Sequence, residues 1–149
     1  MSHKNESDFA KVREATRKLV REFDVFRNIR AVLDIGLSQS HALIEMEKHG
    51  SITVGELTKL LGLNKSSISR MLTKLKESGY ITQIEQGEDN RVKPFALTPD
   101  GVRKLGKIDE HASARVDHAL ELLDKTERQK VIEGMDLYAK ALRDMRSED

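Results

Sequence analysis

Apolar residues recur along this 149-residue chain with helical spacing over most of its length. Phe9, Val12, Leu19, Val20, Phe23, Phe26 and Leu33 fall near three and four apart and predict one long amphipathic helix over 8–35. Gly36 is the expected stop signal. Ser38 is placed to cap a second helix, with Ala42, Leu43 and Met46 facing inward and His49-Gly50 at its end.

The middle of the chain is more specific. Thr53-Val54-Gly55-Glu56 reads as a capping box, in which the Thr hydroxyl and the Glu carboxylate each satisfy a backbone N–H at a helix start. Val54, Leu57, Leu60 and Leu61 then form an apolar stripe that Gly62 interrupts. Asn64 caps the next helix, whose Ile68, Met71, Leu72 and Leu75 stand at i, i+3, i+4 and i+7 before Gly79 closes it. Two short helices joined by a turn of about four residues with a glycine make a helix-turn-helix. Tyr80–Ile84 reads as a strand, 85–91 as a tip loop, and Val92–Leu97 as the returning strand. Pro94 has no N–H for a ladder, so that strand should lie at an edge or carry a local break. The hairpin is a wing.

Thr98-Pro99 opens the last section, with Thr as cap and Pro at the first helical position. Val102, Leu105, Ile108, Ala112, Val116, Ala119, Leu120 and Leu123 keep helical spacing. Thr126-Glu127-Arg128-Gln129 is a second candidate capping box, and Val131, Met135, Tyr138, Leu142 and Met145 continue a final helix. The short joint at Asp124-Lys125 predicts that these two helices fold back as an antiparallel pair. The expected fold class is therefore mainly α with a small antiparallel β-wing. One integrated domain is expected in three sections: an N-terminal helix (1–36), a winged helix-turn-helix (37–98) and C-terminal helices (99–149).

Composition narrows this picture. Apolar residues make up 38% and charged residues 34%, so each helix buries only one stripe. A monomer of such helices has a thin core, and an oligomer that shares them is expected. No run of ~18 apolar residues is present to span a membrane. The N-terminus has no apolar segment of signal-peptide type, and a cytoplasmic location is expected. The absence of Cys excludes disulfides, thiolate zinc sites and thiol redox sensing.

The net charge of +1 conceals polarity along the chain. Residues 59–76 hold Lys59, Lys65, Arg70, Lys74 and Lys76 without an acid, whereas 117–149 hold nine acids against six bases. A nucleic-acid-binding face would produce this pattern, and a solvated Lys-rich helix would as well. On the helix after Asn64, Lys65, Ser66, Ser67, Ser69, Arg70 and Lys74 lie away from the apolar positions. A helix of this width fits the DNA major groove. The Arg70 fork suits a guanine edge, the serines suit bases or phosphates, and Lys65 and Lys74 suit phosphates. At the wing tip, Arg91 is suited to the minor groove, with Asp89 to orient it.

These segments, in order, resemble the MarR family of bacterial winged-helix regulators. The resemblance rests on Leu57–Leu63, Asn64–Arg70, Leu75–Ile81, Asp89-Asn90-Arg91 and Leu97–Gly101. It implies a homodimer held by the N-terminal helix and the last two helices. It implies a pseudo-palindromic double-stranded DNA operator as partner, and repression by promoter occupancy. Ser66, Ser67, Ser69, Arg70 and Lys74 would then face the major groove, and Asp89 and Arg91 would work at the minor groove.

Release by a small phenolic or lipophilic effector is also implied, with His41 near the place such a ligand would occupy. Metal-binding relatives carry two His four apart after the wing. Here Arg115 stands four residues after His111, and His118 seven after it, so no metal site and no cofactor are expected. No phosphate loop, nucleophile elbow or metal-spaced cluster points to an enzyme, and catalytic residues are expected to be none. The alternatives are a regulatory module of a larger protein, such as an acetyltransferase fusion, or a winged-helix protein-interaction module.

Overall fold

The computed structural model describes residues 3–22, 33–85 and 92–148. The expected wing tip with Asp89 and Arg91, and residues 23–32 of the expected first helix, lie outside the described residues. The chain forms two compact units, 1–37 and 38–149.

The first unit contains α1 (His3–Glu22). Glu14 pairs with Arg17 at 2.9 Å and with Lys18 at 3.7 Å along its surface. Its apolar residues Phe9, Val12, Leu19 and Val20 are exposed. The left-handed position after Leu33 is Asp34, at φ 50°, and not Gly36. Gly36 therefore stands directly before α2 (Leu37–His49). Ser38 lies within the first turn of α2 and is not its cap; glycine is tolerated at that position.

In the second unit, α2 buries Ala42, Leu43 and Met46, and Gly50 follows it at φ 73°. Then come α3 (Val54–Leu61) and α4 (Lys65–Glu77). The capping box of α3 is complete. Glu56 N–H donates to Thr53 Oγ1 at 3.2 Å, while Thr53 N–H and Oγ1–H both donate to Glu56 Oε2 at 2.8 Å. Leu57 is the fully buried member of the expected stripe, and Leu60 is exposed. Gly62 ends α3 in the left-handed region at φ 63°.

Those donors hold the Glu56 carboxyl below its ordinary pKa, the Thr53 backbone N–H being the largest cause and the Thr53 hydroxyl the second. A carboxyl depressed in the folded state stabilises the fold above its unfolded value, and that contribution is lost as pH falls through the folded one. Thermal melts taken from pH 6 down to pH ~3 should therefore fall less steeply for Glu56→Gln than for the parent chain. Parallel curves would show that the box carries no acid sensitivity.

β1 (Ile81–Gln83) and β2 (Phe95–Leu97) pair antiparallel, with Ile81 opposite Leu97. Both strands are shorter than expected. β2 is an edge of this two-stranded sheet, as Pro94 predicts, and only Phe95 is bridged beyond it, exchanging hydrogen bonds with Ile52 at 2.8 and 2.9 Å. Pro94 is accommodated because the regular strand starts one residue after it, while its carbonyl accepts from Ile84 N–H at 2.9 Å.

α5 (Pro99–Glu121) starts on a Thr98 cap with Pro99 in its first turn. Its inward seam is Gly101, Leu105 and Ile108, whereas Val102 is exposed. A glycine carries no hydrophobic signal, so the periodicity pointed to its neighbour. α6 (Lys125–Glu148) begins on a capping box two residues earlier than expected. Asp124 N–H donates to Glu127 Oε2 at 2.9 Å, and Glu127 N–H to Asp124 Oδ1 at 2.8 Å. The backbones of α5 and α6 make few close approaches to one another. The far end of α6 instead reaches α3, where Arg146 donates to the Leu60 carbonyl at 3.2 Å. Residues 124–147 are all exposed.

Candidate nucleic-acid interface

The exposed face of α4 is fixed by how the helix starts, packs and ends. Asn64 Oδ1 accepts from Ser67 N–H and from the Ser66 hydroxyl, both at 2.8 Å. Ile68, Met71, Leu72 and Leu75 are buried and set the rotation of the helix. At the C-terminus, Tyr80 N–H donates to the Leu75 carbonyl at 3.0 Å and Gly79 N–H to the Lys76 carbonyl at 2.9 Å. That double bond pattern with Gly79 at φ 79° is a Schellman motif.

This closing turn is joined to α5. The Thr98 hydroxyl donates to the Gly79 carbonyl and accepts from Gly101 N–H at 3.1 Å. Thr98 N–H donates to the Tyr80 carbonyl at 3.0 Å. The direction of α4 is thereby tied to the direction of α5.

Lys65, Ser66, Ser69, Arg70 and Lys74 are exposed together on α4. Ser67 is half-buried, and its hydroxyl accepts from Arg70 Nη2 at the long distance of 3.5 Å. The Arg70 fork is thus steered lightly and keeps most of its donors for a partner. Ser66 spends its hydroxyl proton on the Asn64 cap and offers its oxygen as an acceptor.

Beside α4 lies an open cleft of about 770 Å³ formed with α3 and the hairpin. Its lining includes Lys65 and Ser69 from the expected set, and also Lys59, Thr73, Lys76 and Lys93, which that set omits. Lys59 and Lys76 belong to the acid-free basic run, so the charge pattern carried their signal. Only the fold shows that Lys93 meets them. His41 is exposed on α2.

A buried three-helix core carrying a cationic helix beside a short hairpin defines a winged helix-turn-helix protein. Residues 33–91 match the model of the MarR family. The HTH-type transcriptional regulator YfiV of Bacillus subtilis is 27% identical over 116 residues, which is 78% of this chain and 72% of that protein. The multiple antibiotic resistance protein MarR of Salmonella typhimurium is 34% identical over 77 residues, 52% of this chain and 54% of that protein.

The fold is also that of Streptococcus pneumoniae FabT, solved in complex with DNA. The TM-score is 0.79 and the identity 19%, covering 92% of this chain and 99% of that one. NadR, solved in complex with 4-hydroxyphenylacetate, aligns with a TM-score of 0.70 at 23% identity, covering 89% of each chain. Over residues 33–91 the chain is similar to the MarR family, and the relatives it resembles are transcription regulators.

Proposed function

We propose that this protein is a homodimeric repressor that occupies a pseudo-palindromic operator and is released by a small phenolic or lipophilic ligand. The exposed cationic face of α4, held between two capped ends, is the observation that carries the reading. α4 enters the major groove with Lys65, Ser66, Ser67, Ser69, Arg70 and Lys74. Asp89 and Arg91 serve the minor groove at the wing tip.

The dimer is supported by apolar surface that one chain leaves uncovered. Val131, Met135, Tyr138, Leu142 and Met145 repeat at spacings of four and three along α6, and all are exposed. This is the spacing of a helix seam that expects a partner. Val116 on α5 is exposed as well. α1 presents its own stripe from Phe9 to Val20. No described helix is long and apolar enough to cross a membrane, and a cytoplasmic site of action follows from a DNA partner. The ligand role is supported by NadR, whose structure holds a small phenolic acid.

Selection of bound duplexes from a random pool tests the whole reading. Two inverted half-sites one turn apart, ~34–36 Å, are expected, together with a dimer in sedimentation at micromolar concentration. Failure to enrich any duplex, or a monomeric species, would overturn it.

A further inference from the structure

We propose that the cleft between α3, α4 and the hairpin seats the sugar–phosphate backbone of one DNA strand, with Lys59, Lys76 and Lys93 as contacts that ignore sequence. The inference rests on the DNA-binding reading and adds residues to it. Its basis is a convergence of charge from separate elements. Lys59 comes from α3, Lys65 and Lys76 from opposite ends of α4, and Lys93 from the hairpin, and among the described residues no carboxylate lines the cleft.

Lys65 and Lys76 are separated by roughly 16 Å along the helix axis. A DNA strand presents a phosphate for about every 3.4 Å of duplex axis, so several fall within that span. The floor is apolar, with Leu72 and Phe95 both buried, and gives the lysine stems a surface to lie on while the ammonium groups stay outward.

Two of the three lysines are tethered. Lys76 Nζ donates to Gln83 Oε1 at 3.3 Å, linking the end of α4 to β1. Lys93 Nζ pairs with Glu85 at 3.4 Å across the base of the hairpin. A lysine offers a point charge without the planar fork that reads a base edge, so these groups register backbone position. Glu85 partly offsets Lys93 and opposes an approaching phosphate.

Anisotropy titrations of the full chain test this. The probes are the duplex recovered by selection and an unrelated duplex of equal length, each at several salt concentrations. Lys59→Ala, Lys76→Ala and Lys93→Ala, singly and combined, should weaken both duplexes by the same factor. The log–log salt slope should shrink by about 0.9 per contact, or about 5.4 for the triple variant, which loses three contacts in each half of the dimer. Glu85→Gln should strengthen both duplexes, and Lys140→Ala on α6 should change neither. Thermal melts of each variant identify loss through misfolding, and the single variants carry the test where the triple does not fold.

An unchanged slope in folded variants would overturn the lysine contacts, as would a loss confined to the selected duplex. A parent chain that binds no duplex would overturn the DNA-binding reading itself, so the two failures are distinguishable.

Discussion

Gly101→Ala should lower the thermal midpoint by about 5–10 °C, a loss of about 2–3 kcal/mol. A Cβ at this position would be driven into the Tyr80 carbonyl oxygen, with the Leu97 side chain close beside it. The obstacle is backbone, and it cannot rotate away as a flexible side chain would. The same carbonyl accepts from Thr98 N–H, so moving it breaks a bond at the start of α5. Alanine is favoured over glycine within a helix by ~1 kcal/mol, and the collision must outweigh that gain. A melt of Gly101→Ala matching the parent within a degree or two would show that the α4–α5 junction yields. Gly106 is the control: it lies on the same helix with nothing in the path of a Cβ, and alanine there should raise the midpoint slightly.

Arg70→Ala should cost about 1–3 kcal/mol of affinity per half-site, roughly 5- to 150-fold for each, and relax the preference at one base pair of the half-site. Stability should hardly move, because Arg70 is exposed and its bond to Ser67 is long. Lys74→Ala is the contrasting case. A lysine that meets a phosphate weakens every sequence alike and leaves the selected site unchanged. Repeating the selection with each variant separates them. An Arg70→Ala protein that recovers the parent site with parent affinity would remove Arg70 from base recognition.

The elements around the recognition helix were legible in the sequence because their signals are local. Thr53 and Glu56 cap within three residues, Asn64 caps α4, and four apolar residues at helical spacing choose its buried face. Thr98-Pro99 starts α5 for the same reason. The errors fell where two local solutions compete. Asp34 takes the left-handed position ahead of Gly36, and Asp124 captures Glu127 before Thr126 can cap. The short joint predicts that the last two helices fold back, and the far end of α6 does return to the helix-turn-helix, where Arg146 meets the Leu60 carbonyl. Leu60 and Val102 satisfied the periodicity yet stay exposed, since periodicity says which residues share a face and not how far the core extends.

By itself, then, the chain determines where α3, α4 and α5 begin, which face of α4 is buried, and which stretch is free of acid. These follow from hydrogen bonds and side-chain spacing within a few residues. Tertiary structure alone decided that Gly101 must lack a side chain, since the obstacle is a carbonyl twenty-one residues away in sequence. It alone brought Lys93 beside Lys59 and Lys76, because strand pairing and helix packing set distances between segments that no local pattern encodes.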